Sequence, residues 1–386
     1  MNIPTPAFVI DESALAANAR RLAEVKARTG CKILMALKAF SMPAAFHVFR
    51  DALDGTCASS VHEARLGAAH FGGETHAFAA AFSEYEMRCL LGVERAPYDA
   101  PLIQHITFNS FNQFELFKKL KPENMTCGLR VNPQHSEGHC EIYDPCAPKS
   151  RLGIRCDAFA GRDLDGITGL HVHTLCEQNA QPFVRTLAAF EERFAEFLPR
   201  MSWFNFGGGH HITRADYDVD LLCDALNAFQ ARHPGATVYL EPGEACALNA
   251  GVLVATVLDV VHNEIPIAIL DASCACHTPD VMEMPYRPRL FREATPRDEG
   301  AEPGEKEHLF RLAGPSCLAG DVFGDYAFDA PLQTGDRIVF EDMAHYTMVK
   351  TNTFNGINLP SIYLRKTSGK LQHLRSFGYD DFISRL

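Results

Sequence analysis

Short apolar runs alternate with amphipathic stretches through the first 245 residues of the chain. Apolar residues that recur every three or four positions predict helices, and short runs rich in β-branched residues predict strands. The first predicted helix covers 12–28, with Leu15, Ala19, Leu22 and Val25 on one face. Eight strands are predicted by the same patterns, at 31–37, 56–58, 75–80, 102–107, 126–131, 166–172, 203–206 and 237–240.

Helical patterns separate most of these predicted strands, at 61–71, 111–120, 182–197 and 221–232. The gap at 132–165 is longer and loop-rich. Eight β/α units within roughly 230 residues predict an α/β fold of the (β/α)8, TIM-like barrel type rather than an open sheet. No GxGxxG motif follows the first strand, which argues against a dinucleotide-binding fold. We therefore predict a barrel domain over 11–245.

The pattern changes after residue 246, where strand-like segments follow one another with few helical stretches between them. These segments lie at 252–261, 265–270, 308–312, 337–341, 346–349 and 362–365. They predict a β-rich C-terminal domain over 246–386. A short strand within residues 1–10 can join either domain, and we expect it to join this one. The polar, proline- and glycine-punctuated segment 292–307 is predicted to be an exposed loop.

Composition and charge narrow the possible partners. The 386 residues are 47% hydrophobic and 22% charged, which is ordinary for a globular protein with a sizeable core. The net charge is −12, and such a surface repels nucleic acid and anionic lipid, so neither is expected as a partner. The N-terminal segment lacks the pattern of a secretory signal, and no window is apolar enough to span a membrane. These features predict a cytoplasmic protein.

The 13 cysteines are therefore expected to be reduced thiols rather than a disulfide framework. Cys274, Cys276 and His277 cluster in the sequence, as do Cys140 and Cys146, but no CxxC pair occurs. None of these spacings is that of a zinc finger, so no metal is expected.

Candidate catalytic residues lie where the predicted barrel strands end, because active sites of such barrels form at the carboxyl ends of the strands. The first strand ends on Lys38, and a lysine kept neutral among apolar neighbours is a nucleophile toward an aldehyde cofactor. The fifth strand ends on Arg130. Position alone favours a surface lysine at a strand–loop junction as the interpretation of Lys38.

The later strands end in residues suited to a flat, phosphorylated ligand. His171 and His173 alternate on the sixth strand and so face one side, where one of them can stack on a ring or simply pack in the barrel. Gly207, Gly208 and Gly209 follow the seventh strand, and their N–H groups can close on a phosphate, or the three can form a flexible turn.

The eighth strand ends in Glu241, whose carboxylate can pair with a pyridinium nitrogen or lie in a solvated acidic turn. No single residue decides between such alternatives. Taken together, the strand ends supply an amine, an imidazole, a phosphate-binding turn and a carboxylate at one face of a barrel.

The sequence resembles the fold-type III pyridoxal-phosphate decarboxylases, which include ornithine and diaminopimelate decarboxylases. The resemblance covers nearly the whole chain and lies in motifs in a set order: ALKAF at 36–40, CASS at 57–60, SRLG at 150–153, HVH at 171–173, GGG at 207–209, EPG at 241–243, GPSCLAGDVFGD at 314–325 and DMAHYT at 342–347. Within that group the chain is most similar to the carboxynorspermidine decarboxylases, in ALKAFSMPAAF, EPGEA, PDVMEMPYRP and KTNTFNGI. This implies decarboxylation of carboxynorspermidine or carboxyspermidine.

The resemblance also implies roles for individual residues. Lys38 would carry pyridoxal 5'-phosphate covalently, His173 would stack on its ring, and Glu241 would pair with the pyridinium. Gly207, Gly208 and Gly209 would bind the phosphate with help from the Tyr346 hydroxyl, and Arg130 is placed among the cofactor-binding residues. Cys317 would return a proton after CO2 leaves, from the other subunit of a homodimer with shared active sites. Without the resemblance, the alternative interpretation of Cys317 is a small buried residue of the core.

At two positions the sequence differs from the related decarboxylases in a way that bears on the substrate. Ornithine and diaminopimelate decarboxylases usually have an arginine where this chain has Glu244, and an acidic residue where it has Leu318. A carboxylate at 244 suits a cationic substrate tail, but the loss of the arginine leaves phosphate binding less fully explained. Asp280 is a second candidate for binding the substrate's amines, and Glu283 a weaker third. Arg287 would instead bind a distal carboxylate.

Other functions remain open at this stage. Arg287 and Arg289 keep diaminopimelate decarboxylase as an alternative, with alanine racemase beside it. A non-catalytic pyridoxal-phosphate-binding regulator is the alternative from another class, although such proteins lack a second domain like 246–386. A cysteine/histidine metal-binding protein is the third alternative.

Overall fold

The computed structural model describes residues 3–93, 100–123, 125–138 and 141–386, so the predicted grouping of Cys140 with Cys146 lies outside the described residues. The described chain opens with strand β1 (Ala7–Asp11) and helix α1 (Glu12–Thr29). It divides into two compact units, one formed by Ala16–Cys246 and the other by Met1–Leu15 together with Ala247–Leu386. No helix among the described residues is both long and apolar enough to cross a membrane.

The unit Ala16–Cys246 contains a closed ring of parallel strands. Its strands are β2 (Lys32–Ala36), β3 (Gly55–Ala58), β4 (Glu74–Phe78), β5 (His105–Phe108), β6 (Thr126–Asn132), β7 (Ile154–Arg155), β8 (Gly169–His171), β9 (Trp203–Asn205) and β10 (Thr237–Leu240). Each strand pairs with the next in this order except β7, which pairs only with β6, while β6 pairs with β8 and β10 closes the ring on β2. The predicted eight-stranded barrel is thereby confirmed.

Helices fill most of the connections between the barrel strands. They are α2 (Val61–Leu66), continued by a π-helical turn at Gly67–Phe71, then α3 (Glu84–Leu90), α4 (Phe111–Phe117), α5 (Ala180–Phe194), α6 (Val219–Arg232) and α7 (Glu244–Ala247). Ser60, Ser83 and Ser110 begin α2, α3 and α4 by accepting a hydrogen bond from the backbone N–H three residues later. Such caps satisfy N–H groups that the first helical turn leaves unpaired. These serines therefore fix the residues at which α2, α3 and α4 begin.

The second unit is built on a ten-stranded mixed sheet. Its strands after β1 are β11 (Gly251–Asn263), β12 (Ile265–Leu270), β13 (Leu290–Arg292), β14 (Thr295–Glu299), β15 (His308–Ala313), β16 (Val322–Phe328), β17 (Arg337–Phe340), β18 (Ser361–Arg365) and β19 (Leu371–Arg375). Its short helices are α8 (Cys274–His277), α9 (Pro279–Glu283) and α10 (Tyr379–Ile383). β1 lies between β11 and β18, antiparallel to the first and parallel to the second.

Two predictions for this unit are wrong. The segment 346–349, predicted as a strand, forms turns in which Tyr346 C=O accepts hydrogen bonds from the N–H groups of Val349 and Lys350. The segment 292–307, predicted as a loop, contains β14, which pairs with β13 at the edge of the sheet. An edge strand is exposed on most of its length and can consist of charged residues and proline, so it lacks the apolar alternation that predicts a strand.

Candidate active site

A cavity of about 340 Å³ opens at the carboxyl ends of the barrel strands. Its lining comes from residues at or near the carboxyl ends of β2, β3, β4, β6, β8 and β10 and from the loop before β7: Ala36, Lys38, Cys57, Ala58, Ser59, Phe78, Ala79, Ala80, Arg130, Arg151, Leu152, His171, His173 and Glu241. The ring of strands thus brings four of the predicted site residues, Lys38, Arg130, His173 and Glu241, into one cavity.

Lys38 presents an amine to this cavity. Its side chain is exposed, whereas Leu37 and Ala39 on either side are buried, so the chain fixes the backbone while the amine stays accessible. The sequence predicts a Lys38 side chain that is shielded by apolar neighbours. In the structure the neighbours are buried, but Lys38 itself is exposed. Cys57 lies close by, and burial together with the Glu241 carboxylate raises the pKa of its thiol well above the usual value. Cys57 therefore stays a neutral thiol.

Glu241 is buried and held by two side chains. One carboxylate oxygen accepts a hydrogen bond from Asn205 Nδ2 at 2.7 Å, and the other lies 3.4 Å from His171 Nε2. Burial, the largest cause, lowers the pKa of His171 to about 4, so the imidazole is neutral at pH 7. Neither nitrogen of the His171 ring has a hydrogen-bond partner among the described residues. An unpaired polar group in such a place costs free energy unless a ligand or water satisfies it.

Arg130 is the buried cation of the cavity. Its guanidinium lies 4.6 Å from the centre of the Phe78 ring and donates a hydrogen bond to His173 C=O at 2.7 Å. Burial lowers the pKa of Arg130 to about 10, which still leaves the group charged at pH 7. Burial also lowers the pKa of His173 well below its usual value, helped by the positive charges of Lys38 and Arg130. The imidazole of His173 is therefore neutral and able to lie against an aromatic ring.

The three glycines after β9 form a tight turn directly behind the lining residues. A Cβ atom at Gly207 would fall 2.6 Å from the His173 side chain, and one at Gly208 would fall 2.2 Å from Glu241 C=O. Gly209 has a φ of +82°, and its Cβ would fall 1.9 Å from Leu175 C=O. The N–H of Gly207 donates to Asn205 Oδ1 at 2.8 Å, so this N–H is already engaged within the protein.

Glu244 begins α7, close to the end of β10. One of its carboxylate oxygens lies 3.2 Å from Nε2 of His211, which is buried just beyond the glycine turn. The Glu244 side chain is 19% exposed, so its carboxylate is accessible to a ligand.

Asp280 lies on α9 of the sheet unit and is buried. One carboxylate oxygen accepts hydrogen bonds from the Tyr286 hydroxyl at 2.9 Å and the Thr347 hydroxyl at 2.8 Å. The other oxygen is buried without a hydrogen-bond partner among the described residues. A buried carboxylate with a free oxygen favours binding of a cation.

Arg287 is already engaged within the sheet unit. Its guanidinium donates to the C=O groups of Ala301 and Asp325, pairs with Glu302 and lies 3.8 Å from the centre of the Tyr326 ring. These contacts occupy the guanidinium N–H groups of Arg287 that would otherwise bind a substrate carboxylate.

Cys317 is exposed on the loop that precedes β16. Its backbone N–H donates to Asn355 Oδ1 at 2.8 Å, and Ser316 N–H in the same loop donates to the buried Asp321 carboxylate. The loop is thus fixed at two successive residues while the thiol is accessible. Tyr346, expected near the phosphate, is partly buried in a turn of the same unit.

Several residues at or behind the cavity had no role predicted from the sequence, among them Cys57, Phe78, Arg151 and Asn205. Cys57 and Phe78 lie at the ends of barrel strands, as Lys38 does. Their position at a strand end is the sequence feature that indicates a place in the active site. Asn205 lies two residues before Gly207 on β9, and the alternation of side chains along a strand is the only sequence feature that indicates its direction.

The chain matches a known family model over residues 7–344, described as pyridoxal-dependent decarboxylase, C-terminal sheet domain. Among curated proteins, it is 42% identical to the carboxynorspermidine/carboxyspermidine decarboxylase of Campylobacter jejuni, over 99% of this chain and 98% of that protein. It is 40% identical to the carboxyaminopropylagmatine decarboxylase of Synechocystis, over 100% of this chain and 96% of that protein.

A solved structure of carboxynorspermidine decarboxylase from Campylobacter jejuni, complexed with norspermidine, superposes with a TM-score of 0.88. It covers 100% of both chains at 39% identity.

Proposed function

The chain belongs to the pyridoxal-dependent decarboxylases that have a C-terminal sheet domain, and we propose that it decarboxylates carboxynorspermidine or carboxyspermidine. The products would be norspermidine and spermidine, so the enzyme acts in polyamine biosynthesis. The observation that carries this proposal is the similarity to the Campylobacter decarboxylase of these substrates over nearly the full length of both chains.

The residues around the cavity suit pyridoxal phosphate. The accessible amine of Lys38 would carry the cofactor's aldehyde carbon, neutral His173 would lie against the ring, and buried Glu241 would pair with the ring nitrogen. Gly207, Gly208 and Gly209 would enclose the phosphate together with the Tyr346 hydroxyl. When bound, this cofactor supplies the electron sink that accepts the electron pair of the departing carboxylate.

The chain itself must supply a proton. Decarboxylation breaks the bond between Cα and the carboxylate, releases CO2 and requires a proton on Cα in its place. The depressed pKa values of His171 and His173 mean that neither is an imidazolium at neutral pH. We assign the proton to the accessible thiol of Cys317, contributed by the partner subunit of a homodimer, as in the fold-type III decarboxylases that the sequence resembles.

Two acidic residues suit the cationic tail of the substrate. Apart from the carboxylate that leaves, the polar groups of a carboxylated triamine are amines. A buried ammonium group needs a carboxylate to pair with it. Asp280 has a buried carboxylate oxygen without a hydrogen-bond partner among the described residues, and Glu244 is accessible at the end of β10. Arg287 is engaged by Glu302 and backbone carbonyls, which argues against the diaminopimelate alternative.

Carboxyaminopropylagmatine is a second candidate substrate, because the Synechocystis relative that acts on it is 40% identical over the full chain. That compound ends in a guanidinium, as its name states, where carboxynorspermidine ends in a primary amine. Both are cationic, so the same two acids would serve either. A non-catalytic regulator is disfavoured because the chain has the C-terminal sheet domain of the decarboxylase family.

A CO2-release assay on the purified enzyme with added pyridoxal phosphate tests the proposal. The panel is carboxynorspermidine, carboxyspermidine, carboxyaminopropylagmatine, diaminopimelate, ornithine and arginine, with product amines identified by mass spectrometry. We expect kcat/KM for a carboxylated triamine to exceed that for diaminopimelate by about a hundredfold or more, since two carboxylates that suit a cationic tail repel a distal carboxylate. Preference for diaminopimelate would contradict the proposal, and preference for carboxyaminopropylagmatine would replace its substrate.

A further inference from the structure

A polar cluster lies inside the barrel at the end opposite the cavity. Lys32, Glu74, His105 and Thr126 are each the first residue of a strand, β2, β4, β5 and β6 respectively. Because the barrel strands are parallel, their first residues meet at one rim, and their last residues meet at the other, where the cavity opens. The proposed catalytic residues therefore do not account for this cluster.

The strand geometry brings three ligand-type side chains together. Glu74 and His76 are two residues apart on β4 and so point to the same face, and His105 is the register partner of His76 on β5. The two imidazole rings stack with their centres 4.0 Å apart. Glu74 Oε2 lies 3.1 Å from His76 Nε2 and 3.8 Å from His105 Nε2.

We propose that Glu74, His76 and His105 form a binding site for a divalent transition-metal ion of the zinc type. Their ligand atoms all lie within 4.8 Å of one another. Two imidazole nitrogens and one carboxylate oxygen are a ligand set that zinc and its neighbours prefer. Glu74 is 25% exposed and His105 is 15% exposed, so an ion can reach the site from solvent, and water can complete its coordination.

The surrounding residues orient these ligands as the second shell of a metal site does. Thr126 Oγ1 lies 2.6 Å from His105 Nδ1, which leaves Nε2 to face the cluster. Lys32 contacts the other oxygen of Glu74, Oε1, and the Tyr239 hydroxyl donates to Oε2 at 3.2 Å. Lys32 thereby fixes the carboxylate with Oε2 turned toward the imidazoles.

A simple ion pair does not explain the whole arrangement. Lys32 and Glu74 can pair without help from imidazoles, yet Nε2 of both rings also lies within 4 Å of one carboxylate oxygen. Because the stacked rings have nearly parallel lone pairs, one ring must turn out of the stack when both ligate one ion. The Lys32 ammonium opposes a second cation, but its side chain is 38% exposed and can turn toward solvent. A bound ion would link β4 to β5 at the amino end of the barrel, the face that contributes to stability in such folds.

The test uses Co²⁺ and the enzyme saturated with pyridoxal phosphate. The cofactor should occupy the cavity where His171, His173 and Glu241 form a second potential ligand group. Cobalt is chosen because its visible spectrum distinguishes nitrogen and oxygen ligands from thiolates, and the chain has 13 cysteines. We expect one equivalent per chain with a nitrogen/oxygen spectrum, and an anomalous diffraction peak between Glu74, His76 and His105 in crystals grown with Co²⁺.

Variants separate this site from others. His76→Gln and His105→Gln should weaken Co²⁺ binding about tenfold or more, and Lys32→Met should strengthen it by removing the competing cation. His233→Gln is the matched control, because His233 contacts Glu191 at 3.1 Å elsewhere in the barrel, and it should bind as wild type does.

Absence of an anomalous peak at this site at millimolar Co²⁺ would overturn the proposal, as would equal Co²⁺ affinity in wild type and a folded His105→Gln variant. Circular dichroism and the cofactor's absorbance report whether each variant is folded. The diffraction result on the wild type decides the question even if the histidine variants do not fold.

Discussion

At the scale of single residues, Asn205 links two parts of the candidate active site. Its amide donates to Glu241 at 2.7 Å and accepts from Gly207 N–H at 2.8 Å. The carboxylate proposed for the ring nitrogen and the turn proposed for the phosphate are therefore held by one side chain. Groups that are already fixed in this way lose little conformational entropy when they bind a rigid cofactor.

Lys38 is the residue on which cofactor attachment depends. Reduction of the wild-type enzyme with borohydride should place a pyridoxyl group on the peptide that contains Lys38, as measured by mass spectrometry. Lys38→Ala should lose both the label and CO2 release, because no other lysine lines the cavity in the described part of the chain. Lys118→Ala, at an exposed pair with Glu115, should keep both. A label on a different lysine in the wild type would refute the assignment.

Asp280 and Glu244 are the residues expected to set specificity. Asp280→Asn and Glu244→Gln should each lower kcat/KM for carboxynorspermidine by roughly ten- to a hundredfold, the cost of losing one charged partner of a hydrogen bond. The cofactor's absorbance should not change, since neither residue is assigned to the cofactor. Asp329→Asn, at an exposed carboxylate that pairs with Lys306, is the control. Wild-type kinetics in both variants would exclude these acids from substrate binding.

At the scale of elements, the turn between β9 and α6 requires glycine for two reasons. Gly207 and Gly209 have positive φ values, and a Cβ at Gly208 or Gly209 would collide with backbone carbonyl groups. The collisions are with Glu241 and Leu175, which end or follow neighbouring strands. The turn is therefore packed tightly against adjacent strand ends, and its shape is set by the barrel.

Gly209→Ala should disrupt this turn. Its Cβ would lie 1.9 Å from Leu175 C=O, so the turn must move and the affinity for pyridoxal phosphate should fall, as measured by equilibrium dialysis. Gly30→Ala is the matched control, because Gly30 also has a positive φ, +69°, but no atom lies near its Cβ. That variant should lose only about 1–2 kcal/mol of stability to backbone strain and keep its cofactor affinity. Equal cofactor affinity in both variants would mean that the turn does not hold the phosphate.

At the scale of the whole molecule, the residues assigned to the proposed reaction are distributed over both units of the chain. Lys38 and Glu241 belong to the barrel unit, whereas Cys317, Tyr346 and Asp280 belong to the sheet unit. If Cys317 acts in the active site of a partner subunit, inactive variants should complement one another.

Mixing Lys38→Ala with Cys317→Ala tests this arrangement. Each variant alone should lose most amine formation, although Cys317→Ala should still bind the cofactor. Random exchange of subunits makes half of the dimers mixed, and each mixed dimer has one complete site of two, so about a quarter of wild-type activity should return. No recovery after subunit exchange has been demonstrated by mass spectrometry would mean that Cys317 acts within its own chain.

Stability should fall in mild acid because the chain buries neutral histidines. Burial lowers the pKa of His171 and His277 to about 4 and that of His210 to about 3, below the ordinary value of 6.5. The unfolded chain binds these protons more readily, so their stabilisation is complete above about pH 6.5 and declines toward pH 4. The urea midpoint should be lower at pH 5 than at pH 7.5. A midpoint that is constant or rises toward acid would contradict this expectation.

The barrel and the family motifs can be predicted from local sequence features. The barrel strands are short, mostly apolar runs, and Lys38, Arg130, His173 and Glu241 lie at or near strand ends, so their linear order predicts that they meet. These features are local: a run of apolar residues, a helix-capping serine or a glycine triplet is visible without knowing what it contacts.

Contacts between residues far apart in the sequence follow from the fold. Pairing of neighbouring barrel strands brings Asn205 to Glu241 and His76 to His105, and no local pattern specifies such pairs. The edge strand β14 was missed because an edge is half in solvent and lacks the apolar alternation of a buried strand. Arg287 was a candidate for binding a distal substrate carboxylate, but folding surrounds it with carbonyl groups of Ala301 and Asp325. Contacts of this kind depend on how strands far apart in sequence are aligned, and that alignment is a property of the fold.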